Sequence, residues 1–458
     1  MKLSVILVSF LIVFTFLNQS FAEVYTTGSA ADNNGNIIVI GYCLGNVAIG
    51  GEQFNITTPS AFILKLNSDG EKIWVKFINS TQSIKANAVA VDSSGNIYIT
   101  GEFSGTANFG SYSLTAQGID AYIVKFDSEG NAEWVKLGTS LNTVRGNDIS
   151  LLNNEFIYIC GYGKNIHIDS LSTLGDGFVA KLNTDGNVLE LFSAFKSSFQ
   201  LSTIDGESLL ISAAQPFGFM DFLVPILGKI DKDRNVIWTK NYFAGYVYSA
   251  NERIPLFVII NTNNESYTAY STGYTSLDKL DSAGNSLSTT QFNNCSIKEF
   301  IKSYDEYLYF SGTYTSGSQW GDSVLMSNGG EDAFIAKVDT NFNPIWIKHG
   351  GGIHSDGAVS LSILPDETII SCGNFKGTIN FDTLQISGGI GLDDQWSGLV
   401  KYDPNGNLMW FKKSAENFSV PSTTNWFPLE VGNKWQFYAN TKTNTIVTIQ
   451  NFLKRLQI

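Results

Sequence analysis

One short phrase returns seven times along the chain: an apolar strand, a lysine, an apolar residue, and then Asp or Asn. Successive lysines lie 48 to 64 residues apart, and each interval holds short β-type segments bounded by Gly, Asn and Asp. A repeat of this length made of strands is typical of sheets arranged around a common axis, because one small sheet cannot bury both of its faces. The lysines are Lys65, Lys125, Lys181, Lys229, Lys279, Lys337 and Lys401.

The second repeat shows most clearly how one unit is built. Ala88–Val91 and Ile97–Gly101 are two short segments joined by a turn, and Ala121–Asp127 and Glu133–Leu137 form a second such pair. Apolar and polar residues alternate within these segments, and this alternation predicts strands with two different faces. The sequence therefore predicts an all-β protein built from four-stranded antiparallel units.

Five of the seven repeats carry a tryptophan nine residues after the lysine. We expect these side chains to be apolar wedges between neighbouring sheets, and Trp134→Ala to cost about 3–5 kcal/mol of stability. A row of ligand-binding rings is the alternative. Repeats three and five hold Glu190 and Ser288 at this position. The five residues are Trp74, Trp134, Trp238, Trp346 and Trp410.

Three segments resemble a known family. They are GNIYITGEFSGTANFG, DAYIVKFDSEGNAEWVK and EDAFIAKVDTNFNPIWIK, and they resemble the bacterial β-propeller repeat of secreted and cell-surface proteins. The resemblance covers residues 24 to about 415. It implies a seven-bladed β-propeller of four-stranded antiparallel blades, in a family whose members are mainly extracellular scaffolds and binding platforms.

The two ends of the chain differ from the repeats. Residues 1–22 have the pattern of an export signal, with Lys2, the apolar run Leu3–Leu17 and a small-x-small ending at Ala22. We expect cleavage after residue 22, a propeller over residues 23–415, and a tail over 416–458 that is either a truncated β module or strands that lean on the propeller. The mature protein is then secreted or at the cell surface, with no membrane insertion after signal cleavage.

The composition restricts the partners. The net charge is −13 and only 16% of residues are charged, so phosphate backbones repel the protein and nucleic acid is not expected as a partner. The expected partner is therefore an unknown protein or glycan. The four cysteines include no CxxC pair, and we expect mostly free, buried thiols.

The sequence lacks the common motifs of catalytic and phosphate-binding sites. The chain has no Gly-x-Ser-x-Gly elbow and no phosphate-binding loop, so we expect no catalytic residue, no cofactor and no metal. His349 and His354 lie in a glycine-rich loop, where a metal pair is the alternative to a solvated loop, and Asp-rich turns such as Asp127–Gly130 are expected to be ordinary turns rather than calcium loops. The function expected is a non-enzymatic binding or scaffold platform. A carbohydrate-active or quinone-dependent propeller enzyme is the alternative.

Repeats six, seven, one and two have a long connection between the second strand and the repeat lysine. The interval from the second-strand glycine to the lysine is 24 to 28 residues there, which is too long for a tight turn and predicts an extra hairpin at the blade edge. These connections hold Phe109, Tyr112, Trp320 and Phe381, which we take as candidate partner-binding residues. The alternative is that the rings at 109, 320 and 381 fill the blade edges.

Overall fold

The structure consists of strands throughout the part of the chain that it describes. This computed structural model describes residues 23–193, 197–203, 208–217, 222–231, 233–242, 256–260, 265–271, 274–303, 305–382, 384–386 and 395–413. The predicted signal peptide (1–22) and tail (416–458) lie outside the described residues. Among these ranges no helix is long and apolar enough to span a membrane.

The strands follow the sequence repeats, with four main strands in each repeat. Repeat one contains β1 (Glu23–Ala31), β2 (Ile37–Ile49), β3 (Glu52–Leu66) and β4 (Lys72–Ser80). Repeat two contains β5 (Ser83–Val91), β6 (Ile97–Ser104), β7 (Thr106–Phe109), β8 (Tyr112–Thr115), β9 (Asp120–Phe126) and β10 (Ala132–Thr139). Repeat three contains β11 (Arg145–Leu152), β12 (Phe156–Tyr162), β13 (His167–Ile168), β14 (Leu171–Ser172), β15 (Gly177–Asn183) and β16 (Val188–Phe192).

The later repeats keep the same order. Repeat four contains β17 (Ser197–Thr203), β18 (Ser208–Phe217), β19 (Phe222–Asp231) and β20 (Val236–Asn241). Repeat five contains β21 (Leu256–Ile260), β22 (Ser266–Ser271), β23 (Tyr274–Leu280) and β24 (Ser286–Asn293). Repeat six contains β25 (Cys295–Lys302), β26 (Leu308–Tyr314), β27 (Ser318–Trp320), β28 (Ser323–Leu325), β29 (Asp332–Val338) and β30 (Pro344–Gly351). Repeat seven contains β31 (Gly357–Ile363), β32 (Ile369–Lys376), β33 (Ile379–Phe381), β34 (Leu384–Ile386), β35 (Gln395–Tyr402) and β36 (Leu408–Lys413).

Each repeat forms one antiparallel blade, and the seven blades close into a ring. The first strand of every blade contacts the first strands of both neighbours, and β31 of blade 7 contacts β1 of blade 1. First strands are therefore the innermost ones and surround the axis. This confirms the prediction of a seven-bladed, all-β propeller with four-stranded blades.

The two faces of the ring have different connections. Because consecutive strands are antiparallel, the turns after the first and third strands lie on one face, which we call the turn face. The connections after the second and fourth strands lie on the opposite face, the loop face. The turn face is regular: Asp281, for example, accepts hydrogen bonds from the backbone and side chain of Asn285 at 2.8 and 2.9 Å, and these bonds lower the pKa of Asp281.

The four predicted extra hairpins exist, and two of them, together with an additional hairpin in repeat three, pair with the preceding blade. Hairpin β7–β8 of repeat two pairs with β4 of blade 1, β13–β14 of repeat three pairs with β10 of blade 2, and β33–β34 of repeat seven pairs with β30 of blade 6. The hairpin β27–β28 of repeat six contacts β24 of blade 5. In repeat one the hairpin is the continuation of β2 and β3. Repeat three thus also has a hairpin, which its shorter connection did not predict.

Where they occur, the repeated tryptophans join a blade to a turn of the next blade, and several of the repeated lysines do the same. Trp74 Nε1 and Lys65 Nζ both donate to the backbone oxygen of Ser128 at 3.2 Å, and Trp346 Nε1 and Lys337 Nζ do the same with Pro404. Each such ring also covers the glycine of that turn. The prediction that these tryptophans lie between blades is confirmed.

Two seams lack the tryptophan, and each has a different replacement. Glu190 of blade 3 forms ion pairs with Lys181 at 4.0 Å and with Arg234 at 3.3 Å, and Arg234 occupies the glycine position of the blade 4 turn. Opposite Ser288 of blade 5, the blade 6 turn has Phe342 at its glycine position, where the ring is buried. Both turn residues have positive φ, 70° for the arginine and 66° for the phenylalanine.

Blades 7 and 1 meet without any exchange of main strands. Trp410 covers Gly70, Lys401 Nζ donates to the oxygen of Ser68 at 3.0 Å, and Asn374 hydrogen-bonds the backbone of Thr26 in both directions at 3.0 Å. Side chains therefore close the ring.

The four cysteines are free, as predicted, and all but Cys295 are fully buried. Burial raises the pKa of Cys43 and of Cys372 to about 12, and the pKa of Cys295 to about 11. Cys160 and Cys372 stand at equivalent positions of blades 3 and 7, opposite Asp148 and Ser360. Blades 3 and 7 are not neighbours, so these two thiols cannot meet.

We expect all four thiols of the native protein to be nearly inert toward iodoacetamide at pH 8. A raised pKa leaves almost no thiolate, and the thiolate is the nucleophile. Mass spectrometry after a short alkylation would show unmodified native protein, whereas a parallel sample in guanidinium chloride would carry four labels. Rapid labelling of Cys160 in the native protein would contradict the packing described for blade 3.

Candidate functional site

Three of the four predicted partner-binding residues are buried in the blades. Phe109 is 0% exposed, and Trp320 and Phe381 are each 1% exposed. Phe109 packs against Phe103 and Tyr122. The prediction that these three rings face a partner is therefore wrong, because their hairpins fold back and place the rings inside the blade edges.

Tyr112 is the exception, with 37% of its side chain exposed. It lies on β8, the outermost strand of the sheet of blade 1, and its hydroxyl donates to the backbone oxygen of Glu133 in blade 2. Its role as a partner contact stays a prediction.

His349 lies on β30 and not in a loop, because the strand continues to Gly351. The Nδ1 atom of His349 lies 2.9 Å from the hydroxyl of Tyr314, and burial lowers the pKa of His349. In the turn at Asp127, the carboxylate accepts from Glu129 N at 3.0 Å and from Asn131 N at 2.8 Å. Within the described ranges, no group of three or more His, Cys, Asp or Glu side chains is placed to hold a metal ion.

The innermost strands are irregular where they border the axis. In six of the seven, one extra residue interrupts the pairing with the second strand. Two of these bulged residues bind the next blade: Thr27 Oγ1 donates to Ala86 O at 2.6 Å, and Asn87 Nδ2 donates to Gly146 O at 2.8 Å. The next residue along each strand then faces the neighbouring blade. At that position blades 3 and 6 hold Asp148 and Glu299.

Glu299 is the most perturbed carboxyl group described near the axis. Burial, together with the carboxylate of Asp148, raises the pKa of Glu299 to about 8, and the backbone N–H of Phe300 opposes this by donating to it at 3.3 Å. Blades 3 and 6 are not adjacent, so the two carboxylates act on each other across the axis. Glu299 also contributes to the raised pKa of Cys372 in blade 7. Its side chain is half-buried.

We expect Glu299→Gln to stabilise the protein at pH 9 but not at pH 5. Because its pKa is raised, the carboxyl group of Glu299 holds its proton more tightly in the folded protein than in the unfolded chain. The stability associated with the protonated group is fully present below about pH 4.5 and is lost as pH rises through about 8, where the group ionises. After allowance for the partial exposure of the side chain, the gain at pH 9 is about 2 kcal/mol. Urea unfolding at both pH values measures it, with the exposed Glu155→Gln as control. An equal effect at both pH values would contradict the pKa.

Large apolar side chains are exposed at non-repeating positions on the loop face. Leu141 is 98% exposed and Leu174 is 81% exposed, both in connections at the seam of blades 2 and 3. Ile353 and Met326, 69% and 61% exposed, lie in connections around blade 6. A second, regular set of exposed apolar residues precedes the tryptophan position on the outer strands of six blades. These are Ile73, Leu189, Ile237, Leu287, Ile345 and Met409.

The match to known proteins is strongest for the repeat itself. Residues 73–110 match the beta-propeller repeat family (SBBP). An uncharacterized WD repeat-containing protein, L264, of Acanthamoeba polyphaga mimivirus is 30% identical over 114 residues, which are 23% of this chain and 8% of that protein. The chain thus matches only a small part of this curated relative.

Two solved structures are similar to this chain at low sequence identity. BamB from Moraxella catarrhalis is 12% identical with a TM-score of 0.40, over 78% of this chain and 91% of that chain. Sqt1 from Chaetomium thermophilum is 12% identical with a TM-score of 0.45, over 82% of this chain and 85% of that chain. Seven blades are described, and the segment that matches the beta-propeller repeat family runs from the last strand of repeat one into repeat two.

Proposed function

We propose that the protein is an exported, non-enzymatic β-propeller scaffold that binds a protein partner with its loop face. The observation that carries this proposal is the exposure of large aliphatic side chains in loop-face connections, above all Leu141 at 98% and Leu174 at 81%. The turn face has repeated short turns that bind their own polar atoms. Function in such folds usually lies in the variable connections, and exposed apolar patches mark interaction sites.

Aliphatic side chains favour a protein partner over a glycan. Sugars are held by aromatic faces, whereas Leu, Ile and Met bury well against another protein. The outer strands are a weaker choice. Their exposed residues recur at the same position in six blades, as expected from a repeated sheet edge rather than from one binding site.

The test compares charged variants of the loop face with matched variants of the outer strands. Leu141→Asp with Leu174→Asp, and Ile353→Asp alone, are compared with Ile345→Asp, whose side chain is 53% exposed on β30. Cell-envelope extract is passed over each immobilised protein. We expect wild type and Ile345→Asp to retain the same protein from the extract. At least one of the loop-face variants should retain at least tenfold less of it.

Two results would overturn the loop-face assignment. One is equal retention by all variants. The other is a glycan ligand found on an array whose binding falls with Tyr112→Ala and is unaffected by Leu141→Asp.

The export half of the proposal rests on Lys2, the apolar run Leu3–Leu17 and the small-x-small ending at Ala22. The mature protein would then begin at Glu23, the first residue of β1. Fractionation of expressing cells followed by N-terminal sequencing tests it. A chain that retains Met1 in the cytoplasm would reject export.

One observation favours a second candidate, a carbohydrate-active enzyme. Burial and the Asp148 carboxylate raise the pKa of Glu299 to about 8, and a carboxyl group that stays protonated near neutral pH can supply the general acid in glycoside hydrolysis. Release of p-nitrophenol from a panel of aryl glycosides, abolished by Glu299→Gln and retained by Glu155→Gln, would establish this activity. No release from any of them would leave the scaffold as the function.

A further inference from the structure

The seam between blades 6 and 7 holds a group of polar side chains beside the axis. Glu299 and Ser311 are direct partners in the pairing of β25 with β26, so their side chains lie on the same face of blade 6. Ile301 and Tyr309 share that face and pack in the seam with blade 7. The Oγ atom of Ser311 is buried, with 0% exposure of the residue, and it has no hydrogen-bond partner.

Blade 7 adds a second hydroxyl from the other side of this seam. Ser371 alternates on β32 with Ile369, which packs against blade 6. Ser371 is 2% exposed, and its Oγ atom likewise has no hydrogen-bond partner. Two buried hydroxyls and one carboxylate therefore point into the same seam. Buried polar groups of this kind normally have partners, so both hydroxyls are available to a polar ligand in the seam.

Among the described residues, no lysine or arginine pairs with Glu299. The pKa of Glu299 is shifted by burial, by the Asp148 carboxylate and by the backbone N–H of Phe300. The neighbouring Lys298 is exposed on the bulge of β25, and the Cys372 thiol of β32 is un-ionised because burial raises its pKa to about 12. Within the described part of the chain, no cation therefore competes for the carboxyl group of Glu299.

We propose that this seam is a binding site for a primary ammonium group, such as the end of a lysine side chain or a small alkylamine, which enters from the axial channel. An ammonium has three donors and a compact charge, and the site offers three acceptors on two blades: Glu299, Ser311 and Ser371. A planar guanidinium fits less well, because its donors require a bidentate partner in one plane. The site is independent of the loop-face proposal.

The test uses n-butylammonium chloride as the probe and isothermal titration calorimetry as the measurement. At pH 7 Glu299 is mostly protonated, so binding of the ammonium releases close to one proton, seen as a dependence of the heat on buffer ionisation enthalpy. At pH 9.5 this release disappears. Glu299→Gln abolishes binding, Ser311→Ala weakens it about fivefold, and Glu155→Gln leaves it unchanged.

Tetramethylammonium chloride is the matched control ligand, because it carries the same charge and has no N–H donor. It should bind at least tenfold more weakly. Equal binding of the two cations, butylammonium binding that survives Glu299→Gln, or binding at pH 7 without proton release would each overturn the proposal. So would the absence of any heat with wild-type protein at millimolar probe. The proton count is measured on wild type, so it does not depend on the folding of any variant.

Discussion

Trp320→Ala is expected to lower the free energy of unfolding by about 4 kcal/mol. The ring is 1% exposed, stacks on Phe292 of blade 5 at 3.9 Å, and lies 5.1 Å from the ring of Phe334 in its own blade. Its loss leaves a cavity between two blades and removes the main apolar anchor of hairpin β27–β28. Guanidinium chloride unfolding followed by fluorescence and by circular dichroism measures the change.

Tyr112→Ala is the control for this substitution. It removes another large ring from an extra hairpin, but 37% of that side chain is already exposed, so a change of about 1 kcal/mol is expected. If Trp320→Ala changes stability by less than Tyr112→Ala, the hairpin of repeat six does not pack on blade 5 as described.

Trp134→Ala is expected to cost about 3 kcal/mol, the lower end of the range for large aromatic residues because the ring is half-buried. The substitution removes the bond from Trp134 Nε1 to the oxygen of Thr184, which is 3.0 Å long, and uncovers the turn at Gly186. Trp134→Phe keeps an aromatic ring but loses the N–H and part of the indole, so a smaller loss of about 1–2 kcal/mol is expected. Urea unfolding of the three proteins measures both steps.

Gly186→Ala provides the matching double-mutant cycle. This glycine has a φ of +83°, and an added Cβ would lie 2.7 Å from the ring of Trp134. In wild type the alanine therefore meets both backbone strain and a clash, whereas in Trp134→Ala only the strain remains, about 1 kcal/mol. Additive effects of the two substitutions would show that ring and turn do not touch.

The repeat predicted the architecture because its period and its alternation are local properties of the chain. Residues such as Lys65 and Trp74 keep their spacing, so the number of blades and the place of the wedge could be read directly. The hairpins that pair with the preceding blade could not be predicted in this way. Whether Phe109 and Phe381 point outward or back into a blade depends on pairing with β4 and β30, which belong to the preceding repeats.

The axial carboxylates were missed for a related reason. Glu299 and Asp148 stand in strands of ordinary appearance, and a bulge shifts each strand by one residue, so simple alternation does not assign their faces. Alignment of the innermost strands on the second-strand glycines Gly161 and Gly312 would have placed both acids at one repeat position. The raised pKa of Glu299 still requires knowledge that blades 3 and 6 face each other across the axis.

The differing seams have a consequence for how the chain finds its fold. Seven similar blades could in principle stack in the wrong order, as repeat proteins are prone to do. Glu190 forms an ion pair with Arg234 of the blade 4 turn. The space beside the small Ser288 accommodates the buried Phe342 of the blade 6 turn. Each of these two surfaces is therefore complementary to one particular neighbouring turn and not to the others. A misordered ring would place a tryptophan against the arginine turn or leave the glutamate facing a glycine. The two irregular seams thus favour the native order of the blades around the axis over other orders.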